Sequence, residues 1–357
     1  MILELGAAHR FDITYRAVVM GILNRTPDSF YDRGSYFDFD SFLRKADGLV
    51  ADGADFLDVG GVKAGPGPEV STEQELERVV PAIEALVERF DLPISVDTWN
   101  PVVLDAALGA GAVVGNDISG FAHPEYLPVC ARHGASVVAT HIRLGPRIPD
   151  PEPVYGDMAT EVRAFLRSRA EDALAAGIPR CRIMVDDGLD LGKTEAQSLE
   201  LLRTSDQLVA LGFPAFLSAS NKRFLGDLVG GEVGDRHHAT LAAHALGITL
   251  GCRVLRSHDV RGSRRVAVAI GALLAFRWFA QRRALRSDDH GPEPVARPEV
   301  LDVGVRPDAG TDVAQRDRAQ RVGHLAGASR QRDHLGLEPL PGRPQPRCVV
   351  APQHGVL

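Results

Sequence analysis

Cysteine is scarce in this chain and scattered: Cys130, Cys181, Cys252 and Cys348 lie far apart, with no C-x-x-C pair among them. Neither a disulfide framework nor a zinc cluster is expected from such spacing, and a reducing cytoplasm fits best. Long apolar runs are missing as well. The most apolar late stretch, Val266 to Ala280, contains Arg277 and is too short to span a bilayer, so a packed helix is expected there. The N-terminal MILELGAAHRFDITYR has no basic segment followed by a long apolar one, and no signal peptide is expected. A formal charge of −7 over 357 residues is modest, so charge alone selects neither a nucleic acid nor a membrane partner. No G-x-G-x-x-G follows the first apolar run, which counts against a dinucleotide fold. The single Gly-Lys-Thr (Gly192 to Thr194) lacks the upstream glycine of a phosphate-binding loop.

The end of the chain is poorer still. From Ser287 to Leu357 there is no Ile, Phe, Tyr, Trp, Met, Lys or Asn, while Arg, Pro, Gly, His and Gln abound. Without large apolar side chains the cost of ordering is not offset, so residues 287–357 are expected to be a disordered tail behind a domain spanning 1–286. Two origins compete, a variable flexible tail or a stretch translated from a shifted frame. The restricted alphabet, typical of GC-rich codons read out of phase, favours the second.

Short apolar runs alternate with helical periodicity over the rest of the chain. Candidate strands are Ala17–Leu23, Phe56–Val59, Ile94–Val96, Val113–Gly115, Ser136–Thr140, Ile183–Val185, Ala215–Ser218 and Val254–Arg256. Helix-like stretches between them include Thr72–Phe90, Pro101–Ala110, Asp157–Ala176, Glu195–Leu211 and Asp235–Leu250. Thr72-Glu-Gln-Glu75 has the form of a capping box, Pro101 suits a helix's first turn, and Gly53 and Gly134 are among the glycines placed as helix stops. A repeated β-then-α order predicts an α/β fold of the (β/α)8 TIM barrel type rather than an open sheet.

Polar residues follow nearly every strand. In order these are Asn24, Asp58, Asp97 with Thr98, Asn116 with Asp117, His141, Asp186, Ser220 with Lys222, and Arg256 with Ser257 and His258. One carboxylate at a strand end is more often a helix cap or a core hydrogen-bond partner. Eight such exits in a barrel converge on one mouth, where these folds place their sites. Several carboxylates and amides beside Lys222 suit a flat heterocycle rich in N–H donors. Arg256, His258 and the Asn24 loop suit an anion, with Mg2+ as its expected companion because it takes few protein oxygens and keeps its waters.

These residues resemble the signatures of the dihydropteroate synthase family. Leu23-Asn-Arg-Thr-Pro-Asp-Ser-Phe30 is similar to its first motif, and Asp58-Val-Gly-Gly61 to the start of its second. Ser95-Val-Asp-Thr98, Asn116-Asp117, Asp186 with Gly192-Lys193, Ser220-Asn-Lys222 and Arg256-Ser-His-Asp-Val260 follow in matching order. The resemblance covers about Val18 to Arg265 and implies a pterin-binding TIM barrel. It also implies a transferase of folate biosynthesis that joins p-aminobenzoate to 6-hydroxymethyl-7,8-dihydropterin diphosphate with release of pyrophosphate. By the same resemblance Asp97, Asn116, Asp186 and Lys222 would hold the pterin, and Asn24 would help place Mg2+ on the diphosphate. Arg256 with His258 would form an anion pocket, Ser257 between them would be a further substrate-binding residue, and Ser220 and Lys222 would border the aminobenzoate. The implied chemistry is dissociative, with Asp97 stabilising a cationic methylene, and the implied assembly is a homodimer packed through late helices such as Val266–Ala280.

The second loop departs from that pattern. Val62, Lys63, Ala64 and Gly65 stand where the family has Glu, Ser, Thr and Arg, and the family's arginine pairs with an aspartate matched here by Asp32. Gly65 offers no side chain for that pairing, and Lys63 brings charge without a guanidinium's paired donors. Arg25 replaces a valine, Asn221 an arginine and Asp187 a proline; the extra carboxylate beside Asp186 is expected to raise both pKa values by repulsion. Two readings follow: a working synthase with a variant loop, in which Lys63 or Arg25 supplies charge, or a paralogue that keeps the pterin-type pocket without the activity.

Overall fold

A parallel strand needs a crossover to reach the next, and this chain supplies a helix after each one. In the computed structural model, residues 1–26, 38–230 and 236–287 are described, with side chains to residue 276. Eight parallel strands close into a barrel: β3 (Val18–Asn24), β4 (Phe56–Gly60), β5 (Ile94–Asp97), β6 (Val114–Asp117), β7 (Ser136–Thr140), β8 (Ile183–Asp186), β9 (Ala215–Leu217) and β10 (Val254–Ser257), with β10 paired to β3. The helices outside it are α1 (Phe39–Ala51), α2 (Thr72–Arg89), α3 (Pro101–Gly109), α4 (Tyr126–His133), α5 (Met158–Ala175), α6 (Glu195–Arg203), α7 (Ser205–Val209), α8 (Arg223–Val229), α9 (His237–Thr249) and α10 (Val260–Ser287). The TIM barrel expected from the alternation is what forms. No helix among the described residues is long and apolar enough to cross a membrane. The tail expectation for 287–357 lies outside the described residues beyond Ser287.

Alternation along the strands splits the barrel interior into two levels. Val18, Met20, Phe56, Val114, Val138, Met184, Phe216 and Val254 form a buried apolar level at the N-terminal side. One inward step further along several of these strands stand Asp58, Asn116, Asp186 and Arg256, at the C-terminal side. A hairpin absent from the strand expectations closes the bottom. Its strands β1 (Ile2–Leu5) and β2 (His9–Asp12) are antiparallel, and Leu3, Leu5 and nearby Ile13 join the apolar level. Ser136 fastens it, taking a hydrogen bond from Gly6 N (3.0 Å) and donating to the Glu4 carbonyl (2.7 Å).

Two local expectations shift. The capping box on α2 begins at Ser71, whose Oγ accepts from Gln74 N at 3.2 Å while Gln74 Oε1 accepts from Ser71 N at 3.1 Å. Glu75 is thereby freed to turn inward and accept from Thr98 Oγ1 at 2.7 Å. The Glu195–Leu211 helix is two helices, because Arg163 from α5 takes the Thr204 carbonyl (2.7 Å) and hydroxyl (2.9 Å) at the junction. Gly134 ends α4 in the left-handed region (φ 64°), as its placement before β7 predicts.

Candidate active site at the barrel mouth

Asp58 is fully buried in the mouth. The Arg256 guanidinium crosses the barrel to meet it, Nε donating to Asp58 Oδ2 at 2.7 Å and Nη2 to Asp97 Oδ2 at 2.9 Å. Asn116 Nδ2 reaches the same Asp58 carboxylate at 3.2 Å. Burial pushes the Asp97 carboxyl up to about 7, against the pull of Arg256 and with added repulsion from Asp58, Glu75 and Asp117. Burial opposes the Arg256 charge, yet its carboxylate neighbours raise it further, so the guanidinium stays protonated. Asn24 closes the ring. Gly60 lies beside it in register, and a Cβ added at Gly60 would stand 3.4 Å from Asn24 Oδ1 and 3.6 Å from Asp97 Cβ.

Across the mouth, Asp186 Oδ1 accepts from Gly188 N at 2.9 Å, and burial raises its pKa. Burial also lowers the pKa of Lys222, opposed by Asp190 and Asp186. Ser220 Oγ accepts from His258 N at 3.1 Å and lies 3.0 Å from His258 Nδ1. A hydroxyl already accepting from the backbone can donate to Nδ1, which leaves the imidazole proton on Nε2. Burial, followed by Arg256, Lys45 and Lys222, holds His258 well below its ordinary pKa. The mouth thus holds a neutral imidazole beside the Arg256 guanidinium.

Other predicted residues turn elsewhere. Ser257 is fully buried, its Oγ donating to the Asp259 carbonyl (2.9 Å) and lying 2.8 Å from Ser263 Oγ of α10. An inward Arg256 requires an outward Ser257, so the substrate contact expected of this serine gives way to packing on α10. Asp117 accepts from Ser119 N, Ser119 Oγ and Phe121 N at 2.7–2.8 Å and serves the turn after β6. His141 is buried edge-on against Phe165 and pushed down to about 3, chiefly by burial and then by Lys193. Lys63 lies in the second loop, and Asp32 lies outside the described residues.

Lys193 is the group that sequence reading undervalued. Its Nζ donates to the carbonyls of Gly188 (2.9 Å), Leu191 (3.0 Å) and His141 (3.3 Å) and lies 3.0 Å from His141 Nδ1. It ties the β8 exit to the β7 exit, and burial brings it down to about 7. Asp187 is raised to about 7, first by burial, with repulsion from Asp186 adding to it. Its counter-charge is Arg163, 3.8 Å away. Among the described residues no cluster of three or more His, Cys, Asp or Glu could hold a metal ion.

The family profile described as "Pterin binding enzyme" matches residues 20–258. A relative from Mycobacterium leprae, named inactive dihydropteroate synthase 2, is 42% identical over 266 residues, covering 72% of this chain and 91% of that protein. The Yersinia pestis dihydropteroate synthase in a sulfonamide drug complex superposes with a TM-score of 0.74 at 33% identity, over 77% of this chain and 99% of that one. The Xanthomonas albilineans dihydropteroate synthase in complex with 7,8-dihydropteroate gives a TM-score of 0.66 at 34% identity, over 77% and 98%.

Proposed function

Because this chain belongs to the pterin-binding dihydropteroate synthase family, we propose that its mouth takes a pterin diphosphate and that it is a transferase toward p-aminobenzoate with a weakened second-loop contribution. The observation that carries this is the ring formed by Asp58, Asp97, Asn116 and Arg256, facing Asp186 and Lys222 above an apolar floor. So many buried polar groups in one place are costly without a ligand to complete their hydrogen bonds. Asp97 and Asp186 present acceptors to the N–H groups of a pterin; Asn116 and the Lys222 ammonium present donors to its ring acceptors. Arg256 has N–H groups beyond the two used on Asp58 and Asp97, so it can meet the diphosphate, with His258 beside it on the same strand exit. Departure of pyrophosphate leaves a cationic methylene, which an ionised Asp97 would stabilise. Ser220 and Lys222 border the aminobenzoate side.

Magnesium fits this arrangement in one respect: Asn24 contributes a single amide oxygen, and Mg2+ binds through few protein oxygens together with substrate phosphates and water. When bound it would offset diphosphate charge. A second copy of the chain suits the outer face of α10, where Leu273 and Phe276 are 65% and 75% exposed, and a homodimer in the cytoplasm belongs to the same proposal.

A second reading is favoured by the loop itself. Val62-Lys63-Ala64-Gly65 lacks the family's threonine and arginine, and missing one donor aimed at developing charge costs roughly 2.7–4 kcal/mol in the barrier. Purified protein given pterin diphosphate, p-aminobenzoate and Mg2+ separates the two. Pyrophosphate release dependent on p-aminobenzoate, slower than in ordinary members by about a hundredfold or more, is the expected result. Binding of the pterin diphosphate with no pteroate formed would overturn the transferase reading in favour of the paralogue that binds without synthesis.

A further inference from the structure

The second loop has lost its own arginine, yet a guanidinium still holds it. Arg147, in the connector between β7 and α5, donates from its backbone N to the Ala64 carbonyl at 3.3 Å and from Nη2 to the Pro68 carbonyl. Both acceptors flank Gly65, where a Cβ would meet nothing nearer than Lys63 Cε at 4.0 Å. Arg147 sits in the left-handed region (φ 65°), which costs a non-glycine residue about 1–2 kcal/mol and needs support from its surroundings. The connector supplies that support. Arg143 and Asp150 pair across it, and Ile148 N returns to the Gly145 carbonyl. Its far end is fixed to the β8 exit, Tyr155 Oη donating to the Gly192 carbonyl at 2.9 Å and Gln197 Nε2 to the Pro153 carbonyl at 3.0 Å.

We propose that Arg147 is a positioning residue that orders the second loop from the β7–α5 connector, replacing the loop's own missing arginine, so that the loop carrying Lys63 is held for the diphosphate end of the ligand. The connector then works as a strap from the β8 exit to the β4 exit, and Arg147 is the clasp. This role rests on the proposed pterin-diphosphate reading for its ligand, but the clasp itself is independent of it.

The test uses the full chain as Arg147→Gly, Arg147→Ala and Arg147→Lys. Glycine removes the guanidinium while accepting the left-handed backbone, so a loss in Arg147→Gly is not one of strain. Hydrogen exchange of residues 62–70 is expected to accelerate about tenfold or more in the Gly and Ala variants, with residues 94–117 unchanged. By calorimetry, affinity for 6-hydroxymethyl-7,8-dihydropterin diphosphate should fall about tenfold in both while affinity for the same pterin without its diphosphate stays within twofold. Lysine should restore part of the diphosphate affinity, as a cation without the planar fork. Unchanged exchange at 62–70 overturns the proposal, as does an equal loss for both ligands. If the unaltered protein binds neither ligand, the pterin reading fails, and the exchange result alone decides the clasp.

Discussion

Replacing Arg256 with methionine is the perturbation with the largest effect that can be worked out from the structure. The side chain keeps its apolar stem, but two charge-assisted hydrogen bonds at 2.7 and 2.9 Å vanish, leaving Asp58 and Asp97 facing each other without a counter-charge. Removing one partner of a buried ion pair costs about 3–5 kcal/mol, more than any gain from the added apolar surface. At about 2 °C per kcal/mol for a domain of this size, the melting temperature should fall roughly 6–10 °C. The loss also has a pH signature. Burial has already raised Asp97 to about 7 despite the pull of Arg256, and without that pull it rises further. Below pH 7 the carboxyl is largely protonated in both folded proteins, so the deficit there is at its smallest. Above pH 7 the parent ionises while the variant keeps its proton, and the unfolded chains do not differ. The variant's deficit should therefore grow by about 1.4 kcal/mol per pH unit until its own carboxyl ionises. Urea unfolding of both proteins at pH 6, 7 and 8.5 measures this directly. A deficit below about 1 kcal/mol, or one that is flat with pH, would refute the idea that Arg256 neutralises the floor.

Three further perturbations test the site and its surroundings. The double variant Ala64→Thr with Gly65→Arg should raise p-aminobenzoate-dependent pyrophosphate release by about tenfold or more, since position 65 has room for a side chain; a double variant no faster than the parent would place the limiting defect elsewhere. Asp97→Asn and Lys222→Ala should each weaken pterin binding at least tenfold, about 1.4 kcal/mol by calorimetry, and unaltered affinity in both would remove them from the floor. His244 is buried with Nδ1 3.0 Å from Ser263 Oγ and is pushed down to about 4, chiefly by burial. Its folded pKa lies below the unfolded value, so the unfolded chain binds the extra proton and stability falls as pH drops from about 6.5 to 4, by about 3 kcal/mol. His244→Asn should flatten that part of the acid unfolding curve, and an unchanged slope would show that other groups control it.

The barrel was legible because its signal is repeated: each apolar run followed by a helical period reports the same βα unit, and an error in one is outvoted by the others. The polar level was legible for the same reason, with Asn24, Asp58, Asp97, Asn116 and Asp186 each ending or nearly ending an apolar run. What escaped depended on direction or on distance along the chain. Ser257 was placed in the mouth with Arg256, although strand alternation forbids neighbours from facing the same way. The α2 cap was read one residue late because Ser71 and Thr72 both satisfy the pattern, and only the fold of Glu75 toward Thr98 decides between them. The hairpin of β1 and β2 precedes the repeated βα units and so has no repeat to support it. Its purpose, covering the apolar bottom of the barrel, exists only after the barrel closes. Arg147 could not have been found from sequence at all, since nothing local announces that a left-handed arginine meets a loop some eighty positions earlier.

The floor and the rim of this mouth are under different constraints, which explains how one can be kept while the other drifts. Asp58, Arg256, Asp97 and Asn116 sit on strands whose register is fixed by neighbours on both sides, and each is a partner of another. Changing one of the charged members leaves its partner buried without a compensating charge, so the set is retained by stability as well as by any ligand. The second loop carries no such obligation. Its residues Val62 to Gly65 can be exchanged at little cost to the barrel, because loops run over a surface that the core does not read. The intact ring therefore bears on what the mouth binds more than on how fast it turns over. Whether Arg147 holds the loop carrying Lys63 against the diphosphate matters more to turnover than any further similarity among the strands.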